Sequence, residues 1–327
     1  MRALASNHDS VMHRARLILI AVICACAGAF APRRAFAQQQ GAIPAPPPSL
    51  PGLTPDAAGK LSAEQMQALL RTVADNDEKN DKLLRNYTYI ERDESHKLDR
   101  NGQAQSAESK TYEVLEIYGE QVRRQIEKDD KPLAEKDAAK EEEKLQKVMD
   151  KHKDESDNDR RKRAERDEKE REEGRRFVHE IADAYNFKLI GTELLGGREA
   201  WVIEGEPRPG FEPHVKYANL LPKFHGRVWI DKDDLQMSKM DIEAIDTVSL
   251  GLFLARVHKG SRIVIEQTRV NDEVWLPQHV AVKADVRVAL LKEVRESEEQ
   301  TFRDYKKFRA SAKIVGYGEV KDEGKSK

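Results

Sequence analysis

GGREAWVIEGEP, Gly196 to Pro207, opens on a glycine pair and then alternates. Trp201 and Ile203 share one face of an extended chain, and Glu204, the next residue, takes the other. The next such run, GRVWIDKDD at Gly226 to Asp234, repeats the pattern with Val228 and Ile230 on one face and Arg227 and Asp231 on the other. Period two with one apolar and one charged face is the signature of a half-buried antiparallel strand. The Gly196-Gly197 pair supplies the tight turn that joins FKLIGTELL (187–195) to REAWVIEGEPR (198–208).

Working outward, the same alternation recurs. Towards the C-terminus it runs through LQMSKMDIEAID, GSRIVIEQTRV, EVWLPQHVAVKADVRV and VRESEEQTFRDYKKF. Ile263 pairs with Ile265 on one face, and Val280, Val282, Val286 and Val288 line up likewise. Towards the N-terminus, NYTYIERDESHKL, a turn at Asn101-Gly102, SKTYEVLEIYG and EQVRRQIEKDD read as a meander. Before it, Leu61 to Leu84 is an amphipathic helix. Ser62 caps it with Gln65 three residues on, and Met66, Leu69, Leu70 and Val73 form its stripe. Roughly ten antiparallel strands with helices at the start and middle predict an α+β fold built on a single strongly curved antiparallel sheet, a half-open β-barrel.

Two stretches break the pattern. Gln38 to Gly59 is rich in Pro, Ala and Gln and reads as a disordered linker over 38–60. Lys131 to Arg176 is nearly all charged, with signs interleaved. It predicts two solvated helices separated near Asp154 to Asp159, the second running through Phe177, Ile181 and Ala184 to dock on the body. Apolar positions are too sparse there for a coiled coil. The folded domain is expected over 61–317, interrupted by the 131–176 insert, with a disordered tail at 318–327.

Arg2, His13, Arg14 and Arg16 precede an apolar run at Leu17 to Phe30, and Ala35-Phe36-Ala37 follows. Those are the parts of a secretory signal peptide over 1–37, cleaved after Ala37, and the run is too short to span a membrane. Both cysteines, Cys24 and Cys26, lie inside it. The mature chain is therefore expected to hold no disulfide, thiolate metal site or cysteine nucleophile, and to have no stable membrane insertion.

The 57 basic and 59 acidic residues balance to a formal net charge of −2, which argues against a nucleic-acid partner. Charged residues make up 35% of the chain, above the usual quarter, and much of the excess sits in the insert. His179-Glu180 would need a histidine at 183 to make a zinc protease motif, and that residue is Asp183. His96, His152, His214, His225, His258 and His279 stand at no metal-ligand spacing. Neither a nucleophile elbow nor a phosphate-binding glycine loop is present. The reading is a binding protein without a cofactor, and not an enzyme.

The succession from Phe187 to Phe308 resembles the LolA-like fold group. That group holds the periplasmic lipoprotein carrier LolA, the receptor LolB and the N-terminal domain of the regulator RseB. The likeness rests on a helix before the first strand pair, the GGREAWVIEGEP strand, and the W-I-D-x-x-D step in which Asp231 starts a chain reversal. The Pro-rich linker and the charged insert depart from compact members. The resemblance implies a half-barrel with helices across its mouth and an apolar concave face. That face would bind acyl chains or lipoproteins in the periplasm, or, in a sensor of the RseB kind, a segment of an envelope protein partner. Trp201, Ile203, Val228, Ile230, Ile263 and Ile265 are the expected inward residues. Leu250, Leu252, Phe253 and Leu254, in the apolar run VSLGLFLARV (Val248 to Val257), either contact the ligand as a loop or short helix or plug the core. Leu220, Leu221 and Phe224 either line the mouth or cap the sheet.

Overall fold

The structure is a computed structural model that describes residues 56, 61–84, 86–117, 120–153, 155–215, 217–250, 255–288, 292–307, 313–314 and 320–321. The segments expected as signal peptide and linker lie outside these, Asp56 apart, as do Leu252, Phe253 and Leu254. In chain order the elements are α1 (Ala63–Leu84), β1 (Tyr87–Leu98), β2 (Ala104–Ile117), β3 (Glu120–Lys128), β4 (Lys131–Pro132), α2 (Glu135–Lys153) and α3 (Asp157–Ala184). There follow β5 (Tyr185–Leu195), β6 (Arg198–Pro207), a 3-10 helix (Ala218–Lys223), β7 (Phe224–Asp231), β8 (Met237–Ala244), β9 (Val248–Leu250) and β10 (Ala255–Val257). The last long strands are β11 (Arg262–Val270), β12 (Val274–Val288) and β13 (Lys292–Lys307). Val320 and Lys321, within the expected tail, pair with Ile314 and Lys313.

One sheet of 13 strands dominates, in the order β4-β3-β2-β1-β13-β12-β11-β8-β7-β6-β5, with β10 beside β12 and β9 beside β10. Every pairing is antiparallel, and the sheet is open, with β4 and β5 at its two edges. The fold class is the α+β curved sheet that the alternation predicts. Gly196 and Gly197 both take positive φ, 57° and 83°, which is the backbone a two-residue hairpin needs to follow the strand twist.

The WID step closes as its sequence indicates. Asp231 Oδ1 accepts from the N–H groups of Asp233 (3.1 Å) and Asp234 (2.8 Å), reversing the chain into β8. Arg198 grips both oxygens of this buried carboxylate, at 2.6 and 2.7 Å. On the outer face the charges form a ladder. Glu204 lies opposite Arg227, which lies opposite Asp241. Arg227 donates to Glu204 at 2.9 Å, and Arg262 donates to Asp241 at 2.6 Å. Opposite charges across neighbouring strands each contribute a few tenths of a kcal/mol, about 0.2–1.

The helices begin where the capping residues put them. The Ser62 N–H donates to Gln65 Oε1 at 2.9 Å and the Gln65 N–H donates to Ser62 Oγ at 3.2 Å. In the insert, α2 ends at Lys153 and α3 starts at Asp157, with Ser156 Oγ accepting from the Asp159 N–H. Lys131 and Pro132 continue the β3 hairpin as β4 instead of starting a helix. Nor is α2 wholly solvated. Arg124 on β3 donates to Glu142 at 2.7 Å, and the Gln125 N–H reaches Glu141 at 3.3 Å. Most of the described side chains of α3 are exposed, and among them the buried apolar residues lie in its last turns: Phe177 and Ala184 pack with Tyr185, Ala218 and Leu221.

One reading of the Val248 to Val257 run is replaced. Its ends are neither loop nor helix: Val248–Leu250 and Ala255–Val257 pair with each other as a small hairpin, and β10 pairs with the far end of β12. Val248 and Val257 are buried against Ala284 and Val286. A uniformly apolar run has no period to distinguish strand from helix. Among the described residues no helix is long and apolar enough to cross a membrane.

Candidate ligand-binding cavity

The inward residues of neighbouring strands line up across the sheet. Ile203 is opposite Val228, Val228 opposite Met240, Met240 opposite Ile265, and Ile265 opposite Val280. A parallel row runs from Gly205 through Gly226, Ile242 and Ile263 to Val282. Above these rows lies a cavity of about 190 Å³.

Two helices roof it. α1 turns Leu70, Val73, Ala74 and Asp77 to the cavity, the i, i+3, i+4, i+7 spacing of one helical face, with Arg71 on the flank. The adjoining side of the same stripe holds it down. Met66 and Leu69 pack with Ile203, Ile230 and Leu235. Asn76 donates to the Leu235 carbonyl at 3.2 Å, while Gln236 donates to the Asn76 carbonyl at 3.0 Å. One turn on, the Trp275 N–H donates to Asn80 Oδ1 at 2.7 Å, and Asn80 Nδ2 donates back to the Trp275 carbonyl at 2.5 Å. The end of α3 brings Val178, His179, Ile181 and Ala182. Buried Glu180 turns away to accept the N–H groups of His214 and Val215, tying down the 211–215 segment. His179 and Asp75 meet across the helix–helix seam at 3.9 Å.

The floor is shaped by what is missing from it. Gly205 and Gly226 face each other on β6 and β7. A Cβ on Gly205 would stand 3.0 Å from the Phe187 ring, and one on Gly226 would stand 2.4 Å from the Asp241 carbonyl oxygen. Glycine at these two points lets the strands and the Phe187 ring close up beneath the cavity.

Of the residues expected to face inward, Ile203, Val228, Ile230 and Ile263 line the cavity. Trp201 packs in the apolar cluster under α1 beside it. Ile265 belongs to the neighbouring cluster with Tyr89, Val114, Val280 and Phe302. Leu221 and Phe224 line the cavity, while Leu220 packs on Val248 and Val257. Leu250 is in β9, its side chain outside the described residues. Sequence reasoning missed the lining role of Val73 and Ala74 on α1, of Met240 and Ile242 on β8, and of the two glycines. The only sequence signals were a helical stripe wider than one partner needs and glycines inside strand patterns.

Beyond the Ile265 cluster the concave face becomes polar. Arg123 donates to Glu91 at 2.8 Å and Asp93 at 2.6 Å and lies over the Tyr112 ring, 4.0 Å from its centroid. Burial pushes the Glu91 carboxyl up to about 8, against the pull of Arg123 and with the push of Asp93. Among the described residues no three His, Cys, Asp or Glu side chains are grouped to hold a metal ion. The arrangement offers one thing above all: a roofed, mainly apolar place for an apolar group.

No protein-family model matches the sequence, and no curated protein matches it significantly. Among solved structures the chain is similar to a DUF1329 family protein from Desulfovibrio piger, at 11% identity and a TM-score of 0.24, over 73% of this chain and 92% of that one. It is similar to an outer membrane lipoprotein-sorting protein domain from Vibrio parahaemolyticus, at 10% identity and a TM-score of 0.26, over 75% and 95%. A LolA superfamily protein from Nitrosomonas europaea overlaps at 7% identity and a TM-score of 0.25, over 72% and 93%. Overlaps at this level carry no weight for ligand or mechanism, which rest on the cavity itself.

Proposed function

We propose that the chain is an exported, LolA-like binding protein that shelters the acyl part of a lipid or lipoprotein in the cavity under α1 and α3. The signal-like N-terminus supports a place of work in the periplasm. The observation that carries the reading is the cavity: about 190 Å³, floored by aliphatic strand residues and roofed by aliphatic helix residues. An acyl chain moving there from water gains about 0.8 kcal/mol per buried CH₂. Release then needs the roof to part or an acceptor that buries the chain better. Nothing in this sheltering requires bond making or breaking.

Ala74 supplies the test. It lines the roof and is not part of the packed cluster that holds α1 down. Ala74→Phe should fill the cavity, abolish uptake of a fluorescent fatty-acid probe, and leave the thermal midpoint unchanged or higher, because filled space restores van der Waals contact. Full probe binding by a folded Ala74→Phe protein would show that ligands bind elsewhere.

A further inference from the structure

We infer that the cavity takes a single-chain amphiphile with an anionic oxygen headgroup, a carboxylate or a phosphate, and that Arg71 holds that headgroup at the α1–α3 seam. The inference rests on the acyl-binding reading above and narrows its ligand class.

Volume limits the apolar part. A cavity of about 190 Å³ exceeds the roughly 150 Å³ that admits one benzene ring. It falls below the ~300–1,000 Å³ of pockets that enclose drug-sized molecules. One chain fits that range, and two or three side by side do not.

Charge selects the head. Several cations border the cavity, but most are committed elsewhere. Arg227 and Arg262 alternate with the inward residues Val228 and Ile263, and their guanidinium groups bind Glu204 and Asp241 on the outer face. Lys283 sits between Val282 and buried Ala284 and is exposed, so its side chain points out of the same strand. That leaves the roof. Arg71 is exposed on the flank of the α1 face that looks into the cavity, and among the described residues no carboxylate pairs with it. Asp77, the acidic residue of the same face, is itself engaged. His179 stands across the seam with Asp75. An unpaired guanidinium beside an apolar cavity is a site for a planar or tetrahedral oxyanion, which it binds through two parallel N–H bonds. An ammonium or choline head would meet a like charge there instead.

Calorimetric titration of the purified protein tests this with probes of matched chain length: a fatty acid, a lysophosphatidylglycerol, a lysophosphatidylcholine, a fatty alcohol and a diacyl phosphatidylglycerol. The fatty acid and the lysophosphatidylglycerol should bind at least tenfold more tightly than the alcohol, and lysophosphatidylcholine, whose phosphate carries its own cationic counter-charge, should bind more weakly than lysophosphatidylglycerol. The diacyl lipid should bind more weakly than its single-chain counterpart. Arg71→Gln should remove the preference for the anionic heads and leave alcohol binding unchanged, and Arg71→Lys should restore part of it. Arg71 is exposed, so both variants should melt with the parent protein. Equal binding of alcohol and fatty acid, an Arg71→Gln protein that keeps the preference, or tighter binding of the diacyl lipid overturns the inference and leaves acyl binding standing. If none of the five binds, the acyl-binding reading itself fails.

Discussion

Glu91 shows how much one position on this sheet can differ from its neighbours. It shares a face of β1 with Tyr89 and Asp93 and so points to the concave side, where it is buried and bonded to Arg123. Desolvation raises its carboxyl, and Asp93 adds repulsion, so the folded chain holds the proton up to about pH 8, where an ordinary glutamate releases it near 4.5. The folded state therefore binds the proton more tightly than the unfolded chain. The stability that comes from this is complete below about pH 4.5 and is lost as pH rises towards 8. Glu91→Gln removes the titration while leaving Arg123 paired with Asp93. Urea denaturation of the two proteins from pH 5 to pH 9 should show the parent losing stability across that range more steeply than the variant. Parallel curves would mean that Glu91 is ionised throughout.

At the scale of elements, α1 is held as a roof by amides and not by its apolar stripe alone. Asn80 makes two hydrogen bonds to the main chain of Trp275, a residue only 6% exposed. Replacing it with Ala leaves a buried N–H and a buried carbonyl without partners, each costing about 1–3 kcal/mol. Asn80→Ala should lower the urea midpoint and also raise the off-rate of a bound probe, because the end of α1 comes loose. An unchanged off-rate in a destabilised protein would separate the anchor from the cavity. The stripe of α1 and its Ser62 cap are legible in the sequence, because period and capping are local properties. Asn76 and Asn80 are not, because an amide on a helix reads as solvent-facing until its partner some two hundred residues away is known. The same contrast runs through the sheet. Strands with one charged face, such as β6, β7 and β12, declare both their type and their inward side. The β9–β10 hairpin does not, since an all-apolar run carries no period. Gly205 and Gly226 are silent for another reason: a missing side chain shapes the cavity floor without leaving a pattern.

Across the whole molecule, curvature turns these local faces into a container. The cavity touches β5, β6, β7, β8, β11 and β12, together with Val248 of β9 and Val257 of β10. Six neighbouring strands laid flat would spread over about 24 Å at the usual spacing, and the curl of the sheet turns their inward residues towards one cavity. Along the sheet it ends at the cluster of Tyr89, Val114, Ile265, Val280 and Phe302, beyond which the concave face is polar. Overhead, α1 and α3 are each fixed to different partners: α1 to the β7–β8 turn and Trp275, α3 to the 3-10 helix and the 211–215 segment. Between the two helices stand cavity-lining aliphatic residues and the Asp75–His179 contact at 3.9 Å. A partly exposed pair of this kind contributes at most about 1 kcal/mol, so the seam is the easiest part of the roof to open. A chain carrying Asp75→Cys and His179→Cys, with Cys24 and Cys26 replaced by Ser, can be bridged by a short bis-methanethiosulfonate reagent and released by dithiothreitol. Bridging should slow uptake of a fluorescent fatty-acid probe at least tenfold, and reduction should restore the original rate. Uptake at the same rate with the bridge in place would show that ligands reach the cavity by a path other than the seam.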